Sequence, residues 1–415
     1  MAGARELFDS LAARPVRALA ALLALLVVAA LWALAAHALW HSTVPSVRSP
    51  HVDPRQLFSR SYLARSSSYE RFLVIDAVLG YAALIVALVL YARWGDRLMR
   101  ESAAGRIGTG MMLGMLGFGV VWIAELPFFV AAVWWQRRHG ISHQGYVSAV
   151  LEGFLSLGGE FVFVSLALLI AMTLAGLLRR WWWVVAAPAF AAVALLSTFL
   201  SVYLVPNTHA LRDPRTLADV RALAATERVP GTKAEVQDVN RETTAPNAES
   251  VGFGPTRRVI LWNTLLDGRF DRAEVRAVVA HELGHIAHHH QLKRVGWLAL
   301  FLLPAAALVA LATRRRGGLA RPEAVPVALL VYVVLQLATT PLTNVVSRHE
   351  EAEADWSSLR ATRDPAAERS LFIKLATTTL GNPDPPAWSY VLFADHPTIA
   401  QRISMVQAWS TRNAR

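Results

Sequence analysis

The 415-residue sequence contains no cysteine and few charged residues. Without cysteine, disulfide bridges, cysteine-ligated zinc and thiol catalysis are excluded. Charged residues make up 17% of the chain, whereas a soluble globular protein carries about 25%. Hydrophobic residues reach 54%, and the mean hydropathy is +0.37. These values are typical of a protein that is embedded in a lipid bilayer.

Long hydrophobic runs predict about seven membrane-spanning helices, because about 18 or more apolar residues can cross a bilayer. The first run is longer than the apolar core of a signal peptide, so we expect it to be retained. Asp76, Glu125 and Glu160 fall within such runs, and we expect them to face a wet interior or to lie at a membrane boundary. The runs are 18–40, 73–93, 109–135, 154–177, 181–205, 295–313 and 324–343.

The formal net charge is +11, and nearly all of the cationic residues are arginine. These arginines are scattered over short loops and do not form one basic face. Nucleic-acid binding requires such a face. We therefore expect no nucleic-acid partner.

A five-residue motif, HELGH, begins at His281 in the longest polar stretch. Asp271 and Glu274 have the spacing of a capping box, which predicts that a helix begins just after Asp271 and carries the motif. On a helix, His281 and His285 project from one face and can bind one zinc ion. Glu282 is placed to act as general base toward a water at that metal.

A catalytic zinc needs a third protein ligand. His288 cannot supply it, because two helical turns separate it from His281 by about 10 Å. The segment NVVSRHEEAEAD, after the last hydrophobic run, predicts a helix with Asn344, Arg348, Glu351 and Asp355 on one face. We predict Glu351 as the third ligand, Asp355 as the residue that orients a ligating histidine, and Arg348 as a brace for the cluster.

Other polar residues near these motifs are expected to lie away from the metal. Glu350 and Glu353 fall on other faces of the predicted helix and are expected in solvent. The three histidines at 288–290 are expected to form a polar tip at the membrane interface. An alternative hypothesis uses this histidine cluster in a non-hydrolytic membrane metal sensor or transporter.

The two motifs together resemble those of the type I CAAX prenyl protease family of membrane zinc metallopeptidases. HELGH is followed, after a hydrophobic hairpin, by SRHEEAEAD. RRVILWNTLL is similar to the family's strand before the metal helix, APNAESVGFG to its edge strand, and DHPTIAQRI to its His-Pro…Arg element. The resemblance covers roughly residues 210–405.

This resemblance implies a zinc metalloendopeptidase with one zinc ion per chain, and it implies a role for each matching residue. Asp355 would support a histidine ligand from behind. The zinc ligands would be His281, His285 and Glu351, and the general base would be Glu282. His396 would donate a hydrogen bond to the oxyanion. Arg402 and Asn247 would bind the substrate, and Asn247 would help to seat the peptide as an added strand along Ser250–Phe253.

The expected fold is mainly α, a polytopic membrane protein with about seven transmembrane helices and a small α+β zincin-type catalytic domain built from two chain segments. The expected regions are an N-terminal transmembrane region at 1–205, a catalytic segment with the HExxH helix at 206–294, a transmembrane hairpin at 295–343, and a C-terminal catalytic segment with the third ligand at 344–415.

The expected partners are the lipid bilayer and a peptide or membrane-protein substrate. The alanine- and arginine-rich composition predicts a bacterial cell membrane, where prenylated substrates are not expected. Arginines are more frequent in the loops on the side of the N-terminus, which the positive-inside rule places in the cytoplasm. With seven spans, the catalytic segments would then face outward, opposite to the cytosolic face at which the prenyl proteases act.

Overall fold

A computed structural model of the chain describes residues 19, 22–23, 26–46, 50–95, 97 and 104–413, with the backbone alone at 156–157. Helices dominate these residues, and a single four-stranded sheet accompanies them. The expected fold class is confirmed. The helices are α1 (Leu26–Trp40), α2 (Arg60–Trp94), α3 (Gly105–Arg138), α4 (Tyr146–Leu178), α5 (Trp182–Ser201), α6 (Pro214–Thr226), α7 (Arg272–Ala287), α8 (His290–Thr313), α9 (Val325–Thr362), α10 (Pro365–Thr379), α11 (Ala387–Phe393) and α12 (Ile399–Asn413).

Five stretches of the described chain are helical, long and apolar enough to cross a membrane. One of them, Tyr146–Ser201, consists of α4 and α5 joined by a short 3-10 turn. The described part of the first expected run is the shorter helix α1, and the remainder of that run lies outside the described residues. The count of seven spans stays a prediction. The five stretches are Arg60–Trp94, Gly105–Arg138, Tyr146–Ser201, His290–Arg316 and Pro322–Thr362.

The sheet lies between α5 and α7 in the sequence and has the strand order β1-β2-β4-β3. β2 pairs with β4 in parallel, and the two outer strands pair antiparallel. β3 is therefore an edge strand with a neighbour on one side. The strands are β1 (Thr208–Ala210), β2 (Lys233–Gln237), β3 (Ala248–Val251) and β4 (Arg258–Trp262).

One hydrophobic core joins the sheet to helices from both polar stretches. β4 is buried through Val259, Ile260 and Leu261, as its continuous apolar run predicts. The core extends to the C-terminal end of α9 and to α10 and α12, so residues far apart in sequence support one unit. Its members include Leu211, Val220, Leu223, Val259, Leu261, Val279, Leu283, Leu359, Phe372, Ile403 and Val406.

The local predictions for the first polar stretch hold with small shifts. The stretch RRVILW, which resembles the family's strand before the metal helix, contains strand β4. The extended segment expected at Ser250–Phe253 instead begins two residues earlier, as β3, and ends at Val251. Gly252, with φ of 75°, ends the strand because it adopts a backbone conformation that favours glycine. No pattern in the sequence predicts the three-residue strand β1.

Candidate metal centre

Helix α7 carries the HELGH motif, and its first turn is fixed by the expected capping box. The Glu274 amide donates to Asp271 Oδ1 at 3.0 Å, and the Asp271 amide donates to Glu274 Oε2 at 2.8 Å. Val279 and Leu283 then pack into the core. This packing turns the opposite face of the helix, with His281 and His285, toward α9.

Helix α9 crosses α7 at unusually short range at Gly284. A β-carbon at this position would lie 2.9 Å from Ser357 Cβ and 3.3 Å from Ala354 Cα. Only the absence of a side chain permits this approach. The close crossing brings the acidic face of α9, with Glu351 and Asp355, within reach of the two histidines.

Three potential ligand atoms converge at this crossing. His281 Nε2 and His285 Nε2 lie 3.1 Å apart. The Glu351 carboxylate lies 3.2 Å from His281 Nε2 and 3.4 Å from His285 Nε2. The three ligand atoms all fall within 4.8 Å of one another. One divalent cation can contact three groups at such separations, because zinc–ligand distances are about 2.0–2.2 Å.

The chemistry of this set fits a metal ion. Glu351 Oε2 is buried, yet it has no hydrogen-bond partner, and a buried carboxylate oxygen without a partner is costly. Burial would lower the pKa of His281, but Asp355 and Glu351 outweigh that effect and raise it to about 10. The same concentration of negative charge that raises this pKa also favours a divalent cation.

Asp355 lies behind His281 and is held in place by an arginine. Its Oδ1 lies 2.9 Å from His281 Nδ1. Arg402 donates to both Asp355 oxygens, at 2.9 and 2.5 Å, and its guanidinium lies 4.2 Å from the centre of the Phe372 ring. Arg402 therefore fixes the carboxylate that contacts His281.

His396 approaches the same carboxylate from the opening of the site. Its Nε2 lies 3.3 Å from Glu351 Oε2, and its Nδ1 lies 2.8 Å from Asp395 Oδ1. Burial would lower the pKa of His396, but the hydrogen bond to Asp395 and the charge of Glu351 raise it above its ordinary value. About half of the side chain remains exposed, so His396 can meet a molecule that enters the site.

Arg348 and Asn344, on the same helical face, hold the segment that carries His396. Arg348 donates to the carbonyl oxygens of Tyr390 and Ala394, and its guanidinium lies 4.5 Å from the centre of the Tyr390 ring. Asn344 Nδ2 donates to the carbonyl of Leu392 at 2.9 Å. The predicted bracing thus reaches the site through this segment.

A cavity of about 330 Å³ opens over the three potential ligands. Glu282 and His396 line it, as do Asn247 and the edge strand β3. The Asn247 carbonyl accepts from the Trp262 amide at 3.0 Å, which anchors the start of β3. Gln291 Nε2 donates to the Ser250 carbonyl at 2.7 Å. The cavity therefore brings together the three potential ligands, the carboxylate of Glu282 and the edge of strand β3.

Two expectations about neighbouring residues are wrong. Glu350 and Glu353 are buried, because Arg294 pairs with Glu350 at 2.7 Å and several groups surround Glu353. His290 is also buried and lies against His285, so the three histidines do not form a common polar tip. His289 is exposed as expected.

Sequence reasoning also missed residues that complete the site. Asp395 pairs with His396, Arg294 reaches within 3.9 Å of Glu351, and Glu368 lines the cavity from α10. The Asp-His dipeptide was a signal for the first of these. No spacing in the sequence links Arg294 or Glu368 to the metal motifs.

Comparison with known proteins relates both the site and the fold to one family. Residues 210–410 match Peptidase family M48. An uncharacterized metalloprotease YhfN of Bacillus subtilis is 29% identical over 46% of this chain and 47% of its own length. A protease HtpX homolog of Methylibium petroleiphilum is 28% identical over 50% of this chain and 70% of its own length. The chain thus spans about half the length of the Bacillus relative.

The crystal structure of S. mikatae Ste24p has the same fold over most of both chains. It superposes with a TM-score of 0.74, covering 91% of this chain and 96% of that chain, at 15% sequence identity. The predicted family resemblance is confirmed. Residues 210–410 are thus similar to peptidase family M48, and the chain has the fold of Ste24p.

Proposed function

We propose that the chain is a membrane-integral zinc metalloendopeptidase of a bacterial cell membrane, with one zinc ion held by His281, His285 and Glu351. The observation that carries the proposal is the convergence of the three ligand atoms within 4.8 Å, beside a cavity that Glu282 lines. Zinc in such a site acts as a Lewis acid toward water and toward the peptide carbonyl.

Glu282 is the proposed general base. It is buried on the same turn as the histidines and lines the cavity, so its carboxylate can accept a proton from the attacking water and return it to the leaving amine. His396 is the proposed donor to the oxyanion, since its exposed ring lies beside the ligand group and a preorganised donor stabilises the charge that develops there.

The proposed substrate is an extended peptide or a segment of a membrane protein. Edge strand β3 borders the cavity, and the proposed peptide adds along its outer side as a further strand, with Asn247 at its start. Arg402 donates hydrogen bonds to Asp355 and also lines the cavity. A contact between Arg402 and the substrate backbone stays a prediction.

The test is Glu282→Gln in the full chain in detergent micelles, with casein or an extended peptide as substrate. Zinc should stay bound at one equivalent, and cleavage should be lost. His285→Ala should lose both. Glu323→Gln is the matched control, because this exposed acid lies between α8 and α9, 28 residues before Glu351 along a helical stretch. Retained cleavage in Glu282→Gln would contradict the proposal.

The alternative of a non-hydrolytic metal sensor or transporter requires the histidines at 288–290 to act as a separate site. His290 instead lies 2.7 Å from the proposed ligand His285, which favours a role in the same centre. The alternative predicts that metal uptake or signalling survives Glu282→Gln, so the same variant distinguishes the two functions.

A further inference from the structure

A buried series of side chains runs from His285 through His290 to Glu353. His285 Nδ1 lies 2.7 Å from His290 Nδ1, and His290 Nε2 lies 3.0 Å from Glu353 Oε2. His290 and Glu353 are each 1% exposed. These three groups therefore exchange hydrogen bonds with one another in an environment that excludes water.

The series ends at the Glu353 carboxylate, which accepts hydrogen bonds from several donors. Glu353 Oε1 receives the backbone N–H of Thr43 at 2.5 Å and lies 3.0 Å from the hydroxyls of Ser42 and Thr43. Lys293 Nζ donates to Glu353 Oε2 at 3.2 Å. Both oxygens are thus engaged by donors, so His290 donates to this carboxylate through Nε2.

The direction of the remaining hydrogen bond in this series, between His290 and His285, then follows. The neutral imidazole ring of His290 carries one hydrogen, which lies on Nε2 toward Glu353. Neutral His290 then has a lone pair at Nδ1 and accepts from His285 Nδ1–H. His285 in turn keeps a lone pair at Nε2, which is the atom beside His281 and Glu351.

We infer that His290 and Glu353 are positioning residues that fix the tautomer and the ring orientation of His285 for metal binding; the inference rests on the proposed zinc site. His281 is fixed directly by Asp355, whereas His285 is fixed through a second histidine. This relay, from Glu353 through His290 to His285, also joins the metal helix to the segment after α1, because that segment supplies Ser42 and Thr43.

Two substitutions at one position separate the relay from simple packing. His290→Phe keeps an aromatic ring and removes the acceptor, so zinc affinity should fall by about 10–100-fold. His290→Asn retains a carbonyl oxygen close to the place of Nδ1 and should restore much of that affinity. The matched controls are His289→Phe and His289→Asn, since His289 is the adjacent exposed histidine.

The measurement is zinc affinity of the full chain in detergent micelles, by competition with a chromophoric chelator, with the Co²⁺ absorption spectrum as a report on ligand geometry. Glu353→Gln should also weaken binding. The double variant with His290→Phe should bind zinc about as weakly as His290→Phe alone, because Glu353 acts on His285 only through His290. The His289 variants should match the wild type.

Wild-type zinc affinity in a folded His290→Phe variant would overturn the relay. Equal losses of zinc affinity in His290→Phe and His290→Asn would also overturn it, as would fully additive losses when His290→Phe is combined with Glu353→Gln. If His290→Phe fails to fold, the comparison of His290→Asn with His289→Asn decides, and more than a tenfold loss in His290→Asn overturns the relay. A wild-type chain that binds no zinc would overturn the proposed function and the relay together.

Discussion

His281 Nδ1 lies 2.9 Å from Asp355 Oδ1, across the ring from the potential ligand atom Nε2. A carboxylate at this distance favours the tautomer with the proton on Nδ1, which leaves the lone pair of Nε2 for the metal. Arg402 holds Asp355 through both oxygens. The orientation of one proposed ligand therefore depends on two residues that do not reach the metal.

Asp355→Asn should weaken zinc binding by about 10–100-fold, because the negative charge behind His281 is removed. It also leaves Arg402 buried without its ionic partner, so the free energy of unfolding should fall by about 3–5 kcal/mol. Chelator competition and chemical denaturation in micelles measure the two effects.

Asp219→Asn is the control for that variant. Asp219 is also buried, and it pairs with Arg272 and Arg276 of the metal helix, away from the cavity. It should lower stability and leave zinc affinity unchanged. Equal losses of zinc affinity in the two variants would show that Asp355 acts on the fold alone.

His396→Gln should lower kcat by about 10²–10³-fold, because one donor to the oxyanion is lost. Zinc binding should persist, since His396 is not among the three convergent ligands. His209→Gln is the control, because His209 is another exposed histidine beside an aspartate, at 3.6 Å from Asp238 in the sheet. A loss of zinc in His396→Gln would instead assign His396 to the metal site.

The sequence alone identified the residues whose relation is periodic. His281 and His285 share a face of α7, and Glu351 and Asp355 share a face of α9, because the spacing along a helix determines which side chains are neighbours. Spacing could not show how close the two helices come. That depends on Gly284 meeting Ala354 and Ser357.

Contacts between distant elements explain the wrong expectations. Glu353 reads as a solvated acid when α9 is considered alone, yet Ser42 and Thr43 cover it from more than 300 residues away in sequence. His290 begins α8, and the break between α7 and α8 at His289, with φ of 56°, turns it back toward His285. Neither arrangement follows from a local pattern.

Gly284→Ala should disturb the metal centre without changing any ligand. The added methyl group would lie 2.9 Å from Ser357 Cβ, so the two helices must separate. Overpacking of this kind costs about 1–3 kcal/mol of stability, and zinc affinity should fall because the histidines move away from Glu351. Gly176→Ala in α4 is the control, since nothing lies near its added carbon. Unchanged zinc affinity in Gly284→Ala would contradict the proposed dependence on helix approach.

Glu368, on α10, is buried and contacts Ser358 on α9. The Ser358 hydroxyl donates its single hydrogen to the Ala277 carbonyl at 2.9 Å. Ser358 Oγ also contacts Glu368 Oε1, so this one hydrogen is shared by two acceptors. Burial, reinforced by the charge of Asp355, raises the pKa of Glu368 from 4.5 to about 7.

Stability should consequently fall as pH rises from about 4.5 to about 7 and level off above that. In this range the folded chain keeps a proton on Glu368 that the unfolded chain has released, so each pH unit lowers the free energy of unfolding by up to ~1.4 kcal/mol. Glu368→Gln should flatten the dependence, because an amide side chain does not titrate in this range. Asp219→Asn should leave the slope intact, since Arg272 lowers the pKa of Asp219 and keeps it ionised throughout the range. Thermal unfolding in micelles between pH 5 and 8 measures the slopes, and equal slopes in the wild type and Glu368→Gln would assign the pH dependence to another group.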